Sequence, residues 1–227
     1  MTDRQSTSAA VTIGFHAADY VAHGLVLCRI ASGSKGPNTR GWNERANAID
    51  DRSLAATITG GVGLLHAFSG TMALDIDNDA EASAWLLARG INLGQLSAAA
   101  DAVAINSGRS GKGKLLYRLP EGTAPVETVK VNGPNGMVLE FRCATRNGKS
   151  DQDVLPPSIH PGTGKPYQWG GAGDWRNIPL IPDVLLGCWQ GELATRRTPA
   201  NDTGPVSVMT DFPPSDAEQV ADRCAII

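Results

Sequence analysis

The chain has 227 residues, 41% of them hydrophobic, which is enough to bury a full core and unlike a collagenous or disordered polymer. Its formal net charge of −3 and pI near 5.8 count against a protein whose whole surface grips nucleic acid. No apolar stretch reaches transmembrane length, "MTDRQSTSAA" lacks a signal-type hydrophobic run, and Cys28, Cys143, Cys188 and Cys224 form no C-x-x-C pair, so the pattern indicates neither a zinc ribbon nor a disulfide framework and fits a reducing cytoplasm.

Residues 1–10 are polar and read as a loose start. "HAADYVAHG" predicts a short helix closed by Gly24, and "LVLCRI" a strand. Turn chemistry in "ASGSKGPNTRGW" leads to a helical stretch near "IDDRSLAATI", with aspartates at its start. "GGVGLLHAF" and "TMALDI" read as neighbouring strands joined by a turn at "SG". "DAEASAWLLARG" has acids in its first turn, Ala and Leu inside and Gly90 as its stop, so it predicts a helix, and a second follows in "LGQLSAAAD". Short strands are expected around "AVAIN", "KLLYRL", "ETVKV", "MVLEF", "QDVLP" and "KPYQW", separated by Gly, Pro and Asn. A last helix starts near Pro182. The pattern is α+β: one domain over 11–196, then a Thr- and Pro-rich linker and a helix start over 197–227 that suits a missing downstream region.

Asp75 and Asp77 close the apolar run "TMALDIDNDA" two residues apart. On a strand such residues share a face, and two carboxylates side by side raise each other's pKa unless a cation neutralises them. A divalent metal is one reading of the pair, and a solvated loop after the strand is the other. Charge is unevenly spread: residues 75–101 carry five acids against Arg89 alone, whereas 107–149 carry eight basic residues against three acids. An acidic segment followed by a basic one suits a site for metal ions and polyphosphate, and is also compatible with ordinary solvated faces.

In "SGRSGKGKLLYRLP", glycines 108, 111 and 113 permit close backbone approach, while Arg109, Lys112 and Lys114 supply cations. The spacing is not that of a Walker A loop, and a strand follows in place of a helix. Glu140 sits in the apolar strand "MVLEFR", where burial demands a partner; Arg142, two residues on, shares its face. Prolines 156, 157, 161 and 166 restrict the backbone around His160, which stands as a structural or a site histidine.

The segments "KGPNTRGW", "GVGLLHAFSGTMALDIDND", "NSGRSGKGKLLYRLP", "VLEFR" and "VLPPSIHPGTGKPYQW" occur in the order found in primase–polymerase domains of bacterial, plasmid and phage replication proteins. The chain resembles that branch of the archaeo-eukaryotic primase superfamily over about residues 11–196. The resemblance implies an RRM-like catalytic sheet beside a smaller α/β module, and template-directed nucleotidyl transfer on single-stranded DNA with NTPs or dNTPs. By the same resemblance Asp75, Asp77 and Glu140 bind two Mg²⁺ or Mn²⁺ ions. Arg109, Lys112, Lys114 and His160 fall on nucleotide-binding elements, with Lys114 where the family has histidine. It further implies a helicase-type region downstream, work in the cytoplasm of a bacterial host and no membrane partner. A non-catalytic module binding single-stranded or origin DNA is the alternative, and a D-x-D nucleotide-sugar transferase leaves the basic stretch unexplained.

Overall fold

A computed structural model describes residues 3–197. The linker and helix start expected over 197–227, and with them any downstream region, lie outside the described residues beyond Arg197. Helix α1 (Asp3–Ala22) begins well before the expected His16, within the ten residues read as loose, and ends ahead of Gly24 at φ +81°. Strand β1 (Leu27–Ile30) follows, then the single turn α2 (Arg52–Ala55), whose Asp51 cap accepts from Leu54 N.

Strand β2 (Gly61–Leu65) runs into a second single turn, α3 (His66–Ser69), closed by Gly70 at φ +62° and followed by β3 (Thr71–Ile76). Here the structure corrects the sequence reading. The two strands do not pair with each other; they belong to different sheets, because the helical turn at His66–Ser69 redirects the chain where a two-residue hairpin was expected.

The helices α4 (Asp79–Leu87) and α5 (Leu93–Ala98) lead to the strands β4 (Val103–Asn106), β5 (Gly113–Arg118), β6 (Val129–Gly133) and β7 (Gly136–Arg142). After these come β8 (Gln152–Leu155), β9 (Gln168–Gly170) and α6 (Asp183–Arg197). Mixed helices and antiparallel sheets make an α+β fold, as expected. One sheet has the order β1-β2-β8, and the larger has the order β6-β7-β3-β5-β4-β9, all neighbours antiparallel.

Strand alternation gives the larger sheet two unlike faces. Leu74, Ile76, Leu115, Leu139 and Phe141 point to one side and pack with Ala82 and Leu86 of α4, Leu93 of α5, and Leu185, Trp189 and Leu193 of α6. Phe141 and Trp189 stack there with centroids 5.7 Å apart. Burying side chains of this size contributes roughly 1.5–3 kcal/mol each. On the other side Ala73, Val103, Ile105 and Leu116 pack with Val62, Leu64, Val154 and Leu155 of the small sheet and with Ile13, Ala17 and Tyr20 of α1. That second core covers only part of the face, and the charged residues occupy the remainder.

Candidate active site

Cross-strand register builds the site. Lys130 pairs with Glu140, Glu140 with Asp75, Asp75 with Lys114, and Lys114 with Ile105, so one row crosses β6, β7, β3, β5 and β4. Directly paired residues on adjacent strands bring their side chains to the same face. Asp77 follows two residues on, just past the end of β3, where its own N–H and that of Asn78 donate to Val138 O at 2.9 and 3.1 Å. Asn78 then caps α4: its side chain accepts from Glu81 N at 3.2 Å and donates to Glu81 Oε1 at 3.0 Å. The strand-to-helix junction therefore fixes the backbone that carries Asp77.

Asp75, Asp77, Arg109, Lys112, Lys114 and His160 line one cleft, of about 220 Å³, together with Lys35, Arg142, Gln152, Asp153 and Tyr167. Glu140 lies outside that lining and opens on an adjoining depression with Lys130 and Arg146, with Arg142 common to both hollows. The glycine-rich loop holds Gly108 and Gly111 at φ +76° and +68°, in open space, which is the left-handed backbone a tight basic turn requires.

Every acid in this group meets a cation. Lys112 Nζ donates to Asp77 Oδ1 at 2.6 Å, and Lys114 Nζ donates to Asp75 Oδ2. Arg142 Nη1 donates to Glu140 Oε2 at 2.9 Å, the same-face pairing expected from the sequence, and lies 3.7 Å from Asp75 Oδ2. Among the described residues no group of three His, Cys, Asp or Glu side chains is arranged to hold a metal ion. The donors are nonetheless all carboxylate oxygens, the chemistry that suits magnesium or manganese. An ion arriving here competes with ammonium and guanidinium groups already in place.

Electrostatics divide the acids. Burial raises the Asp75 carboxyl against the pull of Lys114, and burial likewise raises Glu140 against Arg142 and Lys130. Lys114 is itself deeply buried, which alone would discharge it, but Asp153 and Asp75 hold its pKa above the ordinary value. It stays a cation. His160 Nδ1 accepts from the N–H groups of Gly162 and Thr163, both at 3.1 Å, which leaves Nε2 as the nitrogen that carries the proton. Burial, with Lys35 and Arg109 nearby, lowers its pKa and keeps the ring neutral near pH 7.

Sequence reasoning missed two members. Asp153, on β8, is 2% exposed and accepts from Lys114 Nζ at 2.8 Å; His66 is fully buried and donates from Nε2 to Asp153 Oδ2 at 2.9 Å. The signal that exposed Glu140, an acid inside an apolar strand, was equally present in "QDVLP".

Residues 17–184 match the family model described as the N-terminal domain of bifunctional DNA primase/polymerases, Prim-Pol. The match spans well over half of the chain, and the chain belongs to that family. No curated protein matches it.

Proposed function

We propose that the chain is a DNA primase–polymerase that makes primers by template-directed nucleotidyl transfer during phage or plasmid replication. Family membership supports the class. The observation that carries the residue-level reading is the row Glu140–Asp75–Lys114 at the edge of a cleft that also gathers Asp77, Arg109, Lys112 and His160. In this reading the six-stranded sheet is the RRM-like catalytic sheet and the three-stranded sheet with α1 is the smaller module. The run β3–α4–α5–β4–β5, in which β5 returns beside β3, is consistent with the first part of a β-α-β-β-α-β arrangement.

Asp75, Asp77 and Glu140 are the residues that would hold two divalent ions. Bound there, Mg²⁺ or Mn²⁺ supplies a lowered pKa for the primer 3′-hydroxyl and charge stabilisation at the α-phosphate. Arg109, Lys112 and Lys114 hold the triphosphate of the incoming nucleotide, and the His160 Nε2–H offers one directed donor to a phosphate or sugar oxygen. Template DNA meets the basic residues around Lys130 and Arg146 at the adjoining depression.

The test is primer synthesis on single-stranded DNA with labelled NTPs or dNTPs, with Mg²⁺ or Mn²⁺, comparing wild type with Asp75→Ala. Synthesis by the wild type and its loss in the folded variant is expected. A folded variant that keeps wild-type synthesis sinks the site assignment. One observation favours a second reading, a non-catalytic module for single-stranded or origin DNA: each of the three acids is already neutralised by Lys112, Lys114 or Arg142. That reading predicts DNA binding with no incorporation by the wild type under any of these conditions.

A further inference from the structure

From this geometry we infer that Asp153, held from behind by His66, is the residue that positions Lys114 for the nucleotide's triphosphate; the inference rests on the primase–polymerase reading of the cleft. Asp153 stands on β8 in the small sheet and Lys114 on β5 in the large one, so their contact ties the two sheets together at the site. The two oxygens of Asp153 are divided between two donors. Oδ1 accepts from Lys114 Nζ at 2.8 Å, and Oδ2 accepts from His66 Nε2 at 2.9 Å. On the far side of the imidazole, Thr71 Oγ1 lies 3.0 Å from Nδ1. Thr71 opens β3 and Asp75 sits near its other end, so a continuous polar chain runs from β3 through His66, Asp153 and Lys114 back to β3.

This chain answers a physical problem that a lysine creates. Its ammonium is a point charge on a flexible stem, without the fixed direction of an imidazole nitrogen. Asp75, the other partner of Lys114, is itself assigned to the reaction and cannot serve as a permanent anchor. Asp153 can: it is 2% exposed even though it belongs to the cleft wall, and its position is set by the β2–β8 ladder. Arg142 Nε, 3.4 Å from Oδ1, shares the same anion and ties Glu140 into the arrangement. A buried ion pair that serves packing alone would show the same distances, because an unpaired buried carboxylate is costly in either case. The two roles differ in what happens to nucleotide affinity when Lys114 is already gone.

The experiment is a double-mutant cycle on the full chain, with MgATP and MgdATP titrated by calorimetry and single-stranded DNA affinity measured in parallel. Lys114→Ala and Asp153→Asn should each weaken nucleotide binding about tenfold, and the double variant should be no worse than Lys114→Ala alone. DNA affinity should stay within about twofold throughout. His66→Gln, which leaves the Asp153 charge in place, should weaken nucleotide binding by about threefold, and by nothing further on the Lys114→Ala background. It carries the cycle if Asp153→Asn fails to fold. Additive losses, or equal losses for nucleotide and DNA, overturn the positioning role. Primer synthesis with additive losses leaves the primase–polymerase reading standing, whereas coupled losses in a chain that makes no primers do the reverse. A wild type that binds neither nucleotide overturns both.

Discussion

The two faces of strands β3 and β7 differ more from each other than any two domains of the molecule need to. Leu74, Ile76, Leu139 and Phe141 point under α4 and α6 into a wholly apolar core. Asp75, Glu140 and Arg142, their immediate neighbours in sequence, point the other way and meet almost nothing but charge. A one-residue slip in register would exchange these sets and put three ionised groups under the helices, so the apolar face holds the charged one in alignment. Stability and chemistry are thus separated by a single residue step.

The largest expected effects test that separation directly. Phe141→Ala removes a ring stacked on Trp189 and should cost about 3–5 kcal/mol of stability, read as a lowered melting temperature. Glu140→Gln, one position away, keeps the shape and should change stability by about 1 kcal/mol while removing primer synthesis. A melting temperature unmoved by Phe141→Ala, or a collapse of the fold in Glu140→Gln, would show that the faces are not divided in this way.

A second prediction uses pH. Burial alone would raise the Asp153 carboxyl, but Lys114 and Arg142, with the His66 hydrogen bond, outweigh it and hold the group well below the ordinary carboxylate range. A folded pKa below the unfolded value of about 3.9 gives stability that is fully present above that value and is lost as pH falls through the folded one. Asp75 and Glu140 run the opposite way: their folded pKa values are raised, so acid relieves part of their cost. Stability of the wild type should therefore fall steeply only below about pH 4, and Asp153→Asn should be less stable at neutral pH with a flatter acid limb. Thermal melts across pH check this, and an acid limb of the same steepness in both proteins would remove Asp153 as its source.

What the sequence revealed follows the range of the interactions. Elements closed by local chemistry were legible: the first-turn acids and the Gly90 stop of α4, the basic glycine turn before β5, and the Glu140–Arg142 pair two residues apart. The separation of β2 from β3 was not, because a single turn of helix at His66–Ser69 leaves no periodicity to read. The His66–Asp153 contact joins positions 87 apart in the chain, and only the β2–β8 pairing brings them together. Of the candidate site, Asp75 and Asp77 and the cations of 109–114 could be found from spacing, and Asp153 could be suspected as an acid in an apolar strand, whereas its contacts with Lys114 and His66 could not be read.

The smallest effect concerns the two lysines of the glycine turn, Lys112 just before β5 and Lys114 within it, which meet Asp77 just past β3 and Asp75 within it. Lys112 and Asp77 are each about a third exposed, and such a pair contributes at most about 1 kcal/mol to stability. Lys114 is held by two acids in a buried setting. Lys112→Ala should therefore leave the melting temperature nearly unchanged and weaken nucleotide binding more than DNA binding, by about tenfold at most. Lys114→His should keep part of the affinity, since an imidazole can still donate to Asp153 or to a phosphate but reaches less far than the lysine stem. Its loss should fall between those of wild type and Lys114→Ala. Melting curves and nucleotide titrations on the three variants decide it: a larger melting shift for Lys112→Ala than for Lys114→Ala would place the structural pair at the rim and the mobile one inside, the reverse of what burial dictates.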